Sequence, residues 1–260
     1  MGTTIKKIIP GIDIKDGKVV KSVKFLGTKE VGDDPVAFAK KYCADGADEL
    51  AMLDIMASIE GRQTKLDIIS RIKEVINIPL TVSGGIRNLD DIKDALNAGA
   101  SKVAVSTAAV KDKNIIKEAA FKFGSEKIIL VVDTKKNKSG VYTVYINGGI
   151  GGEDTGIELI GWVKEAEKLG AGEVLPTAMD TDGVRNGYDI ELINLICNAV
   201  KIPVTASGGC GKLEDFAELF KKTNASAALA ASVFHFGMFT VKQVKEYLTK
   251  QGINVLPVKK

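Results

Sequence analysis

The 260-residue sequence predicts an α/β protein of the (β/α)8 barrel class, assembled from two duplicated half-barrels. Short apolar strands alternate with helical stretches of about ten residues, which is the pattern of parallel βαβ units. The stretch Ile78-Pro79-Leu80-Thr81-Val82-Ser83-Gly84-Gly85 recurs as Ile202-Pro203-Val204-Thr205-Ala206-Ser207-Gly208-Gly209, displaced by 124 residues. Other segments repeat at nearly the same displacement, so four strand–helix units and the same four again make eight. A doubly wound open sheet is the alternative, but it does not predict two equivalent halves. The chain is expected to form one TIM-barrel domain over residues 1–260, with half-barrels of about 1–123 and 124–260.

Lys7 to Asp13 is a short apolar strand ending in a carboxylate. Lys15-Asp16-Gly17-Lys18 is a turn, and Val19-Val20-Lys21 resumes an extended pattern. Residues 27–34 read as a polar loop, Pro35 through Tyr42 as a helix, and residues 49–55 as strand two, ending in Leu53-Asp54. Helical periodicity runs from Lys65 to Ile72, and strand three is the first copy of the repeated stretch. A helix from Leu89 to Ala98 leads to strand four, residues 102–105, which ends in Ser106-Thr107. In the second half, Lys127 to Asp133 copies the first strand at a displacement of 120. Gly172 to Thr177 parallels strand two, and Ala231-Ser232 parallels Ser106-Thr107. Gly148-Gly149-Ile150-Gly151-Gly152 reads as a flexible hairpin or lid after strand five.

Composition excludes several classes. The 45 % hydrophobic and 27 % charged content is that of an ordinary globular protein, and a net charge of +3 is too slight to argue for nucleic acid. No apolar run approaches the roughly 18 residues of a membrane span, and the N-terminus lacks a signal-peptide core. Cys43, Cys197 and Cys210 suit neither a disulfide framework nor a zinc site, so a cytoplasmic protein is expected. Cys210 reads as a small filler residue. With His235 the only histidine and no Cys-x-x-Cys pair, no metal is expected. The dinucleotide fingerprint is absent too, so no cofactor is expected.

In a barrel of this class the C-terminal ends of the strands face the active site. Those ends are Asp13, Asp54, Gly84-Gly85, Ser106-Thr107, Asp133, Thr177, Gly208-Gly209 and Ala231-Ser232. Asp13 and Asp133 stand at strands one and five, on opposite sides of the mouth, and equip the site for general acid–base catalysis. The paired glycines at strands three and seven let backbone N–H groups approach an oxyanion closely, and the helix that follows adds positive partial charge. With the ends of strands four and eight they form two opposed phosphate cradles. A long substrate phosphorylated at both ends fits that layout.

These residues carry a resemblance. Ile8-Ile9-Pro10 with Asp13, Lys15-Asp16-Gly17 and Val19-Val20-Lys21 is similar to the start of the cyclase subunits of imidazole glycerol phosphate synthase, in histidine biosynthesis. Asp180-Thr181-Asp182-Gly183, Ala206-Ser207-Gly208-Gly209 and above all Ala228 to Phe236 continue the likeness, which spans about Lys7 to Val255. The resemblance implies an enzyme that takes ammonia from a glutaminase partner. It adds the ammonia to phosphoribulosyl-formimino-aminoimidazole-carboxamide ribonucleotide, giving imidazole glycerol phosphate and aminoimidazole-carboxamide ribonucleotide. It further implies that Asp13 and Asp133 are the acid–base pair, that Lys21 is the basic residue of the first loop, and that Thr177 and Asp182 line the same mouth with Ser207. At the other end of the barrel it implies a charged ring of Lys7, Glu49, Lys102 and Glu173 around an ammonia entrance, a place where a salt-bridged cluster is also a reasonable structural feature.

The sequence departs from the family pattern at Gly11-Ile12, Lys24, Met56, Ser83, Ser106, Glu126, Pro176, Ala178 and the 147–152 stretch. Several of these fall around the first cradle. Two other functions compete: a barrel that only binds a phosphorylated ligand or a partner, and a paralogue that uses delivered ammonia to amidate a surface sugar. Retention of Asp13, Asp133 and Lys21 together favours the cyclase.

Overall fold

A computed structural model describes residues 4–22, 27–148 and 152–258. Eight parallel strands close on themselves: β1 (Lys7–Lys15), β2 (Leu50–Asp54), β3 (Leu80–Ser83), β4 (Lys102–Val105), β5 (Ile128–Lys136), β6 (Glu173–Ala178), β7 (Thr205–Ala206) and β8 (Ala227–Ala230). Each pairs in parallel with the next, and β8 returns to β1 with Ala227 opposite Lys7. Between β6 and β7 the pairing runs through the bridges Val174–Val204 and Thr177–Ser207. The regular part of β7 is shorter than the apolar run suggests, because Pro203 has no N–H to give to a ladder. Its carbonyl still accepts from Val174 N at 2.9 Å.

Strand periodicity divides the side chains between two cores. On β1, Ile8, Ile12 and Ile14 face outward and pack with residues of the surrounding helices such as Ile69, Ile72 and Phe216. Ile9 faces inward and joins Ala51, Ala104, Ile129, Val131, Leu175, Ala227 and Leu229 in a separate cluster that fills the barrel lumen. Each fully buried isoleucine contributes about 1.5–3 kcal/mol.

The outer layer is α1 (Pro35–Ala44), α2 (Leu66–Val75), α3 (Leu89–Asn97), α4 (Asn114–Phe123), α5 (Leu159–Leu169), α6 (Ile190–Ala199), α7 (Leu213–Lys222) and α8 (Val241–Lys250). Their ends are written locally. Asp34 caps α1 just before Pro35, Asn88 caps α3, Thr240 and Gln243 form a reciprocal cap on α8, and α5 ends on the left-handed Gly170. A buried ion pair ties α8 to the barrel, Lys245 Nζ to Asp48 Oδ1 at 2.6 Å, while Asp48 Oδ2 accepts from Ile8 N.

The duplication extends further than the sequence reading. β1 and β5 both run past the barrel rim into antiparallel hairpins. β1 pairs with Lys18–Ser22, which pairs with Thr28–Gly32; β5 pairs with Tyr142–Ile146, which pairs with Glu153–Glu158. The expected polar loop over 27–34 is therefore largely a strand. It escapes the apolar–polar alternation because none of its residues is fully buried and only Val31 packs against the core. Lys24 lies outside the described residues, as do residues 149–151 of the glycine stretch expected to form a hairpin or lid; the strands before and after that stretch pair antiparallel.

Candidate active site

One cavity opens at the strand-end face, with about 1170 Å³ of empty space including its mouth. It is lined by both aspartates, Asp13 and Asp133, and by every residue expected to touch substrate: Lys21, Gly84, Gly85, Ser106, Thr107, Thr177, Asp182, Ser207, Gly208, Gly209, Ala231 and Ser232. Its floor is apolar, formed by Leu53, Ala104, Val131 and Leu229 at the top of the lumen cluster.

The two aspartates occupy matched positions with unmatched neighbours. In the hairpin that follows β1, Asp13 stands opposite Val20, which brings the next residue, Lys21, over the carboxylate at 2.9 Å. In the hairpin that follows β5, Asp133 stands opposite Tyr145, and the next residue is Ile146. Among the described residues the Asp133 carboxyl has no hydrogen bond or ion pair.

Lys21 also reaches Asp182 at 3.4 Å, from the loop after β6. Burial works against the Lys21 charge, yet Asp13 and then Asp182 outweigh it and hold the ammonium firmly protonated. Lys21 is nearer to Asp13, so it offsets the burial of Asp182 only in part, and the Asp182 carboxyl sits above the usual carboxylate range. Burial, then the negative charge of Asp182, pushes Asp133 up to about 7.

The two cradles share a backbone conformation. Gly84 and Gly85 have φ of +89° and +69°, and Gly208 and Gly209 have +88° and +98°. These must be glycines: a Cβ on Gly84 would stand 2.1 Å from Asp54 O, and one on Gly209 would stand 2.0 Å from Gly187 O. After each pair an aspartate ties down the chain, Asp91 accepting from Arg87 N and Asp215 from Gly211 N. Short helices beginning at Thr107 and Ser232 complete the two edges. Cys210 is a buried lining residue, and burial raises its thiol well above the ordinary range.

Asp54, the other strand-end carboxylate, is a structural group. Arg62 binds it in two-pronged fashion at 2.6 and 2.9 Å, and its side chain is 1 % exposed. His235 lies behind the eighth strand in an aromatic cluster, with Nδ1 2.6 Å from the Tyr42 hydroxyl; burial lowers its pKa to about 4.

At the opposite end of the lumen the expected ring is present as a chain of contacts. Lys7 Nζ lies 2.5 Å from Glu49, Lys102 Nζ lies 2.9 Å from both Glu49 and Glu173, and the Thr205 hydroxyl donates to Glu173 at 2.6 Å. Glu49, Ala51 and Leu53 alternate along and beyond the start of β2 on the inner face, as do Lys102, Ala104 and Ser106 along β4. Ring, apolar plug and cavity are thus stacked in that order.

Sequence reasoning named none of Thr205, Ser58 and Asn147 as a site residue. Ser58 and Asn147 line the cavity from loops, where no strand-end rule points; Thr205 is an inward residue of β7 whose role shows only through its bond to Glu173.

Comparison with known proteins gives a consistent result. Residues 7–240 match the family model described as "Histidine biosynthesis protein". The chain is 50 % identical over 251 residues to imidazole glycerol phosphate synthase subunit HisF of Clostridium botulinum (strain Okra / Type B1), covering 96 % of this chain and 98 % of the relative. It is 49 % identical over 256 residues to the subunit of the same name from Lactococcus lactis subsp. cremoris (strain SK11), covering 98 % of each. Against that of Natranaerobius thermophilus it is 50 % identical over 250 residues, covering 96 % and 98 %.

Proposed function

The chain belongs to the HisF family of imidazole glycerol phosphate synthase subunits, and from that membership we propose how its cavity performs the cyclase reaction and which residues carry it. It acts in histidine biosynthesis, using ammonia to convert phosphoribulosyl-formimino-aminoimidazole-carboxamide ribonucleotide to imidazole glycerol phosphate and aminoimidazole-carboxamide ribonucleotide. The observation that carries the mechanism is the pair of matched aspartates, one under a lysine and one bare, set between two glycine cradles.

The substrate spans the mouth with one phosphate in each cradle, Gly84-Gly85 with Ser106-Thr107 and Gly208-Gly209 with Ala231-Ser232. Ser207 and Thr177 border the path between them. Ammonia must shed protons as its carbon–nitrogen bonds form, and the departing nitrogen must gain one. Asp133, with a pKa near 7, is present in both forms at neutral pH and serves as the proton donor. Asp13 withdraws the proton, and Lys21, held by Asp13 and Asp182, keeps that carboxylate fixed in the site.

A glutaminase subunit docks on the strand-start face and forms the heterodimer. Ammonia enters between Lys7, Glu49, Lys102 and Glu173 and passes Ala51, Ala104 and Ala227, the small side chains of the lumen. The complex works in the cytoplasm, where the three free thiols stay reduced. The test is incubation of purified protein with the bis-phosphate substrate and an ammonium salt. Loss of the substrate's absorbance supports the assignment; a flat trace under saturating ammonia refutes it.

A further inference from the structure

The two cradles share several tethering bonds and differ at the backbone amide of the second glycine. Residues displaced by 124 play the same parts: Arg87 and Asp91 repeat as Gly211 and Asp215, and the Ala57 N–H bond to Asp54 O repeats as Thr181 N–H to Ala178 O. Ser58 and Asp182 are therefore equivalent positions. Asp182 turns toward Lys21 and leaves the second cradle alone. Ser58 turns into the first cradle, where its Oγ accepts from Gly85 N at 3.3 Å. Among the described residues the corresponding Gly209 N–H has no acceptor.

The first cradle thus presents a side-chain hydroxyl where the second presents a bare amide. Ser58 lines the cavity together with Ser83, Ser106 and Thr107, so hydroxyls surround this edge. A hydroxyl that accepts from Gly85 N keeps its own proton free to donate outward, into the space a phosphate oxygen takes. A donated O–H bond to a phosphate oxygen is charge-assisted and stronger than the long bond from Gly85.

Resting on the two-cradle reading, we propose that Ser58 is a substrate-positioning residue, relaying the Gly85 amide to the phosphate of the first cradle through its hydroxyl. The two ends of the substrate are then held by different chemistry: direct backbone amides at Gly208-Gly209, and a serine relay at Gly84-Gly85. The relay also accounts for a site that binds phosphate although Ser83 and Ser106 depart from the family pattern around it.

The experiment is titration of 15N-labelled protein with inorganic phosphate, following the Gly85 and Gly209 amide resonances, together with steady-state kinetics on the bis-phosphate substrate. In Ser58→Ala, phosphate affinity reported at Gly85 should fall at least about tenfold, with that at Gly209 unchanged. KM should rise by a similar factor with kcat within about twofold, and Ser58→Thr, which keeps the hydroxyl, should restore both. Unchanged or tighter binding at Gly85 in Ser58→Ala would mean that the serine only blocks the amide, and the proposal fails alone. If phosphate perturbs neither glycine in the unaltered protein, the proposal falls together with the two-cradle reading beneath it.

Discussion

Lys21 Nζ stands 2.9 Å from Asp13 Oδ2, and the residue in the corresponding place beside Asp133 is Ile146. One lysine therefore breaks the symmetry of a duplicated site. The backbone supplies two equivalent carboxylates, and the single cation decides which of them is compensated. If the two carboxylates are the proposed proton-transfer pair, Asp13→Asn and Asp133→Asn should each lower ammonia-dependent turnover at least about a hundredfold. Steady-state rates on ammonium measure this, and near-normal rates in both variants would dismiss the acid–base pair.

The bare aspartate also costs stability. The Asp133 pKa is near 7 in the folded protein and about 3.9 in an unfolded chain. Protons are therefore bound more tightly by the native state, and the contribution of this group is fully present below about pH 4 and lost as pH rises through 7. Asp133→Asn should raise the unfolding temperature at pH 8 and leave it nearly unchanged at pH 4. The difference is at most about 4 kcal/mol, from three pKa units at about 1.4 kcal/mol each. Thermal melts at the two pH values decide it; equal shifts at both would show that the carboxyl is not perturbed.

His235 slopes the opposite way. Its pKa is lowered to about 4 by burial, against about 6.5 unfolded, so stability is present above pH 6.5 and lost as pH falls toward 4. In the charged ring both nitrogens carry a proton: Nδ1 can donate to the Tyr42 hydroxyl, but Nε2 is buried without a partner among the described residues. A His235→Gln variant should flatten the fall in stability between pH 6.5 and 4.5. Urea unfolding across that range tests this, and a slope equal to that of the unaltered protein would reject it.

Each cradle should be needed for affinity. The glycines themselves are poor targets, since a Cβ at Gly209 meets Gly187 O at 2.0 Å and would deform the loop before any phosphate arrived. Ser106→Asp and Ser232→Asp place a carboxylate at each edge without that clash, and each should raise the substrate KM at least about tenfold. If one variant keeps its KM, that edge does not hold a phosphate.

How much of this was legible depended on which signal each residue carries. Asp13, Asp133 and the paired glycines could be read because the duplication repeats them at strand ends, where the barrel rule gives position a meaning. The strand Thr28–Gly32 could not, because with only Val31 against the core it shows no alternation. Nor could the inequality of the two aspartates be read from composition: it arises from hairpin register, which sets Lys21 over one carboxylate and Ile146 beside the other. Thr205 and Ser58 act through single hydrogen bonds, and no sequence period announces those.

The strand-start ring is where structure and function make separable claims. Lys102 holds both Glu49 and Glu173 at 2.9 Å, with its side chain 19 % exposed, so Lys102→Ala leaves two buried carboxylates facing one another with only Lys7 and Thr205 as partners. That should destabilise the barrel whatever the ring does. The Lys245–Asp48 pair supplies the control, because it is also buried and lies at the same end, yet it packs between α8 and the outer face of the barrel. If ammonia passes the ring, Lys102→Ala should change the ratio of glutamine-dependent to ammonium-dependent turnover at least about fivefold. Lys245→Met should lower the unfolding temperature and leave that ratio alone. Both assays on both variants, with the cognate glutaminase present, separate the cases. A ratio that stays constant in Lys102→Ala while stability falls would make the ring a salt-bridge cluster and nothing more.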